Sequence, residues 1–117
     1  MCTDINDEQA MACADSHEPQ HCWIFDAETE VWSKTQDTTN NHHQGAIARY
    51  NDSVVILSGK DNNQGSTEYF NIHRRQWSIR SNDTMFQNIN GATAVSHHGK
   101  LYFFGNLCQS KPRKNCV

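Results

Sequence analysis

The chain has 117 residues, a formal net charge of −3 and seven histidines, with a pI near 6.1 and a mean hydropathy of −0.81. That length holds one modest domain, and the charge balance excludes a broad basic nucleic-acid surface. No run of about eighteen apolar residues is present, so no membrane-spanning helix is expected, and no basic segment followed by an apolar core marks a signal peptide.

Short apolar runs separated by Asn, Asp, Gln, Ser, Thr and His predict an all-β chain rich in turns. The first elements are weak: a short strand at Met1, a turn at Asn6-Asp7, and a strand through Met11–Ala14, with Gln9 and Ala10 where bulky residues are expected. Next comes Ile24-Phe25-Asp26, a polar turn over Ala27–Glu30, and Trp32-Ser33. The second set of strands is expected near residues 46–50, 54–59, 67–71 and 77–80. Its turns fall at Asn51-Asp52 and over Ile72–Arg75. The third set comprises Gly91–Ala94, a turn at His98-Gly99, and Leu101–Gly105.

These elements repeat. Trp32 and Trp77 lie 45 positions apart, each followed by Ser and preceded at equal distance by an aromatic-Asx pair, Phe25-Asp26 and Phe70-Asn71. Gly45-Ala46-Ile47-Ala48 returns 46 positions later as Gly91-Ala92-Thr93-Ala94, and Val55–Gly59 as Leu101–Gly105. Met11–Ala14 falls 45 before Ile56–Gly59. Val54–Leu57 and Leu101–Phe104 are apolar at consecutive positions, so both faces of these strands are expected to be buried. A period of 45 residues with four strands per unit is the pattern of stacked sheets.

The pattern resembles the Kelch repeat, carried by Gly59, Tyr69 and Trp77 in the middle copy, Trp32 in the first and Gly105 in the last. The second glycine of the family's Gly-Gly pair is replaced in every copy, as Ala14-Asp15, Gly59-Lys60 and Gly105-Asn106. No Trp-Asp dipeptide supports the competing WD repeat. The resemblance implies a partial β-propeller of four-stranded antiparallel Kelch blades: a degenerate repeat over 1–44, a second over 45–90 and an incomplete third over 91–117. Propellers close with about four to eight blades, so the missing blades are expected from a longer chain or another subunit, this chain being a fragment, a partial gene product or a partner-completed unit.

Cys13 closes a second strand and Cys22 opens the third, neighbours in an antiparallel sheet, and Cys108 and Cys116 flank the corresponding connection in the last repeat. Both pairs are disulfide candidates, with buried free thiols as the alternative. Ser58 and Thr67 hold the matching phases in the middle repeat. Cys2 aligns with Ile47 and is expected to be a buried apolar residue. Disulfides favour an extracellular or secreted setting over the cytoplasm, and two glycosylation sequons, at Asn51 and Asn82 in expected turns, point the same way.

Neither the adjacent pairs His42-His43 and His97-His98 nor His17 and His21 beside Cys13 and Cys22 match a metal-ligand spacing, so no metal and no cofactor are expected. Function is expected on the loops at 15–21, 34–44, 60–66, 80–90 and 106–115, which leave one end of the blades and would contact a protein partner, as binding residues on rigid scaffolds commonly do. The candidates are Asp15, His17, Glu18, His42, His43, Asp61, Asn62, Asn63, Arg80, Asp83, Lys111 and Arg113. Lys111, Arg113 and Lys114 form a basic cluster too short for a phosphate-binding surface. Arg74 and Arg75 fall at the opposite end. A non-enzymatic protein-binding scaffold is the expected function. The alternatives are part of a galactose-oxidase-like propeller enzyme, for which no paired-carboxylate, phosphate-loop or Ser-His-Asp signature is present, and the substrate-recognition part of an intracellular Kelch ubiquitin-ligase adaptor.

Overall fold

The computed structural model describes residues 1–89 and 91–105. Among these described residues the fold is all-β apart from one 3-10 turn, Thr84–Phe86. Strands β1 (Cys2–Asp4), β2 (Gln9–Cys13), β3 (Cys22–Asp26) and β4 (Val31–Lys34) form one antiparallel sheet. Strands β5 (Ala46–Tyr50), β6 (Ser53–Leu57), β7 (Ser66–Asn71) and β8 (Gln76–Asn82) form a second, and β9 (Thr93–His97) and β10 (Lys100–Phe104) a third. Strands within each sheet follow chain order, so every connection inside a sheet is a hairpin.

The turns show why the repeat folds alike in both copies. Asp26 Oδ1 accepts from the backbone N–H of Glu28 and Thr29 at 3.0 and 3.1 Å, and Asn71 Oδ1 accepts from His73 and Arg74 at 3.0 and 2.9 Å. Each turn ends on a left-handed residue, Glu30 (φ 58°) and Arg75 (φ 60°). The side-chain oxygen substitutes for a strand partner and reverses the chain. The N–H of Thr29 and the Gln9 amide hold the Asp26 carboxyl below the usual aspartate range. Across each turn the aromatic pair closes, Phe25 on Trp32 with ring centroids 5.0 Å apart and Phe70 on Trp77 at 5.1 Å.

The first repeat, despite its weakly apolar second strand, forms a complete four-stranded sheet. Its register departs from the 45-residue period. Cys2 faces Ala12 whereas Ile47 faces Ile56, so Ala12 rather than Met11 takes the place of Ile56. The hairpin between β1 and β2 carries one residue more than the two-residue Asn51-Asp52 turn, which shifts β2 alone. Left-handed Ala14 (φ 63°) and Ser58 (φ 58°) mark the same offset. Position 57, not 58, therefore corresponds to Cys13, and Leu57 faces Thr67. The strand expected to reach residue 59 ends at Leu57.

Two apolar layers join the sheets. Met11, Cys13, Cys22 and Ile24 of the first sheet pack with Val54, Ile56, Phe70 and Trp77 of the second. On its other side, Ala46, Val55 and Leu57 meet Ala94, Leu101 and Phe103 of the third. Val54 to Leu57 is thus buried on both faces, none more than 3% exposed. Each such side chain contributes roughly 1.5–3 kcal/mol. The expectation of two-sided burial fails for β10, where Tyr102 and Phe104 are 43% and 62% exposed because no described element covers that side. Cys2 is exposed rather than buried, its short strand lying at the sheet edge.

Candidate binding surface

Connections β2–β3, β4–β5, β6–β7 and β8–β9 leave one end of the sheets, because neighbouring strands are antiparallel throughout. They are sewn together by backbone bonds. Thr38 N–H donates to Gln20 O (2.9 Å), Lys60 N–H to His43 O (2.7 Å), Gly59 N–H to Ile89 O (2.9 Å) and Asn88 N–H to Asn62 O (2.9 Å).

Beneath this surface lies a buried polar cluster. His42 and Glu68 are both fully buried, with His42 Nε2 2.6 Å from Glu68 Oε2 and His42 Nδ1 2.6 Å from Ser58 O. Glu68 also accepts from the backbone N–H of Thr39 (2.7 Å) and Asn40 (3.1 Å). Burial pushes the Glu68 carboxyl up, but the His42 hydrogen bond and the Thr39 and Asn40 N–H groups outweigh it, and the group sits below its usual range. Asn62 completes the cluster, donating to Asn41 O (2.8 Å) and Ser66 Oγ (2.9 Å) and accepting from Ser66 N–H (3.2 Å). Ser58 Oγ donates to Phe86 O and accepts from Ile89 N–H. The β4–β5 segment is thereby locked to the second sheet and the β8–β9 segment to both. Gly59 (φ 126°) belongs to this lock: a Cβ there would lie 2.7 Å from the His42 backbone.

This cluster corrects two of the expected contact residues. His42 and Asn62 are interior struts: His42 lies in the β4–β5 connection that crosses between sheets, and Asn62, in the β6–β7 hairpin, satisfies the Asn41 carbonyl of that crossing segment. Arg80 and Asn82 are also misplaced by the sequence reading, both lying in β8, which extends to Asn82 rather than ending near residue 80. Arg80 stacks 4.8 Å from the Tyr69 ring centroid. Asn51 does sit in an exposed turn. Asp15, His17, Glu18, Asp61, Asn63 and Asp83 are exposed on loops at the connecting end. Half-buried His43 donates from Nδ1 to Ala14 O at 3.2 Å. Asp15 accepts from His17 N–H, which holds its carboxyl below the usual range. A polar depression of about 190 Å³ opens among Gln20, Asn40, Asn41, Asp61, Asn63 and Gln64. Lys111, Arg113, Cys108 and Cys116 lie outside the described residues.

Cys13 and Cys22 face each other across β2 and β3 and are joined by a disulfide. The bridge closes the base of the β2–β3 connection, the part of the surface that carries Asp15, His17 and Glu18. Among the described residues, no group of three or more His, Cys, Asp or Glu is placed to hold a metal ion.

Sequence reasoning missed Glu68, Ser58 as a double partner, and Gln36. The available signal for Glu68 was a lone acid inside Thr67-Glu68-Tyr69-Phe70, at the position where the first copy has Trp23. Gln36 Oε1 accepts from Trp77 N–H (2.7 Å) and its carbonyl from the Trp77 indole (3.0 Å).

No protein-family model matches the chain, and no curated protein matches it. Among solved structures it is similar to the structure of YjhT, with a TM-score of 0.73 and 16% identity over 87% of this chain and 32% of that one. The chain thus spans about a third of that protein's length, and at this identity the likeness shows the fold alone.

Proposed function

We propose that this chain is a portion of a Kelch-type β-propeller and that it serves as a non-enzymatic protein-binding scaffold. The observation that carries the reading is the recurrence, 45 residues apart, of a four-stranded sheet with the same Asx turn and Phe–Trp pair, stacked so that polar connections gather at one end. The YjhT likeness supports the propeller part. The scaffold part rests on the division between locked interior residues and freely exposed ones on the same loops, the arrangement that lets a surface vary while its frame stays fixed. The disulfide favours an oxidising compartment, and with it an extracellular setting.

The test is affinity capture with the wild-type chain and two variants. Asp61→Ala with Asn63→Ala changes the connecting end; His73→Ala with Arg74→Ala changes the opposite end. A partner retained by wild type, lost with the first variant and kept with the second supports the reading. Equal retention by all three, or none at all, overturns it.

A further inference from the structure

We infer that the polar depression at the connecting end is a docking site for an uncharged stretch of polypeptide, read through its main-chain and side-chain amides rather than through charge or an apolar anchor. The inference rests on the scaffold reading above and names the chemistry of the partner's docking segment.

The walls of the depression come from the β2–β3, β4–β5 and β6–β7 connections, so no part of it belongs to the outer faces of the first or third sheet. Side chains beneath and beside it fix its main chain. Glu68 holds the N–H groups of Thr39 and Asn40 at 2.7 and 3.1 Å, and Asn62 holds the Asn41 carbonyl at 2.8 Å. Gln20 Nε2 donates to the carbonyls of Thr38 and Thr39 at 3.0 and 2.7 Å, and Gln87 Nε2 donates to that of Asn63 at 2.6 Å. Asn40, Asn41 and Asn63 therefore present their carboxamides from a backbone already held in place, which lowers the ordering cost of binding. Asn40 points to a ligand: its amide nitrogen is buried with no hydrogen-bond partner among the described residues. A buried donor of this kind calls for an acceptor.

The lining selects the ligand. Among the described residues it includes no cation, a single acid, Asp61, and no apolar or aromatic side chain. An anion finds no partner there, an apolar anchor no surface, and the apolar face of a sugar ring nothing to stack on. A carboxamide carries a donor and an acceptor side by side. A residue in extended conformation turns its own N–H and C=O to one side, the pair that facing strand residues exchange. One carboxamide can therefore close two hydrogen bonds with one such residue, or with a carboxamide of the partner. A ligand carbonyl would also meet the open Asn40 donor. The depression, at about 190 Å³, has the room of about six waters at ~30 Å³ each, enough for a short piece of main chain. Salt screens charges and not neutral hydrogen bonds, so binding is expected to be indifferent to ionic strength, unlike that of a charge-steered partner.

NMR titration of the isotope-labelled full chain tests this with the capped peptide acetyl-Gly-Gln-Gly-amide, its charged counterpart acetyl-Gly-Glu-Gly-amide, and methyl glucoside. The uncharged peptide is expected to move the side-chain amide signals of Asn40, Asn41, Asn63 and Gln64, with a dissociation constant of about 1–10 mM that is the same at low and high salt. Asn41→Ala with Asn63→Ala removes two carboxamides but keeps the carbonyls that Asn62 and Gln87 hold, so the loops keep their course, which the rest of the spectrum checks. This variant is expected to bind the peptide about tenfold more weakly, and His73→Ala with Arg74→Ala, at the opposite end, to bind it as wild type does. Signals that do not move overturn the inference. So do equal or tighter binding of the charged peptide or the glucoside, a marked loss at high salt, and a double Asn variant that binds as before. The titration needs no captured partner, so the two readings fail apart. A chain that captures a partner but ignores the peptide removes this inference alone, and one that binds the peptide but captures nothing removes the scaffold reading alone.

Discussion

The first and second sheets are built from the same plan, yet their tryptophans live in different surroundings. Trp32 and Trp77 each close on a phenylalanine one strand away at nearly the same separation, so local sequence dictates that pair wherever the repeat occurs. What differs is the next layer. Trp77 is covered, and both its N–H groups are satisfied by Gln36 of the neighbouring sheet's connection; Trp32 faces solvent. The intrasheet aromatic pair is therefore a property of the repeat, and burial is a property of position in the stack.

The comparison can be broken most directly at the buried pair. His42→Ala or Glu68→Ala leaves an uncompensated polar partner in the interior and is expected to cost about 3–5 kcal/mol in urea unfolding. Substituting Trp23, which occupies the Glu68 position in the first sheet, should cost far less. A comparable loss at Trp23 would mean that the two sheets are equally enclosed. Trp77→Ala ranks beside the buried pair, at about 3–5 kcal/mol for removal of a large core aromatic. Trp32→Ala, at the smallest end, should stay within about 1 kcal/mol, read from the same melts.

Between these lies the disulfide. Reducing Cys13–Cys22, which closes a short loop with a sequence separation of 9, is expected to cost about 2–3 kcal/mol. The loss should appear in amide exchange across β2 and β3 before β6 and β7. Mild acid gives the opposite pattern. Glu68 is held below its unfolded value, so its contribution is complete above the ordinary glutamate range near about pH 4.3 and disappears as pH falls through the lower folded value. The pH dependence of the urea midpoint in acid should be shallower in Glu68→Gln than in wild type. An unchanged slope would remove Glu68 from the account of acid sensitivity.

Much of this architecture was legible in the residues. Asp26 and Asn71 announced their turns because Asx side chains cap the reversing backbone locally. Val54 to Leu57 announced a doubly covered strand because burial on two faces leaves no polar position. Cys13 and Cys22 could be paired because antiparallel neighbours at a strand end lie opposite each other. What escaped was set by residues distant in sequence. The one-residue shift of β2 depends on hairpin length, and a fixed period cannot record it when the strand itself is only weakly apolar. His42 and Asn62 looked like solvated loop residues because composition does not tell a loop residue that packs beneath a neighbouring segment from one that projects outward. Cys2 aligned with half-buried Ile47, but alignment carries identity of phase, not of coverage.

Gly59 has a consequence for how such a surface could be varied. Its missing side chain lets two backbones meet where any Cβ would collide, so at this end the gap between neighbouring layers is fixed by main-chain thickness rather than by side-chain volume. A combinatorial library that randomises positions 61, 63 and 64 while retaining Gly59 and Asn62 would change the chemistry presented outward and leave the underlying spacing constant, which is the condition for grafting new specificities onto an unchanged frame.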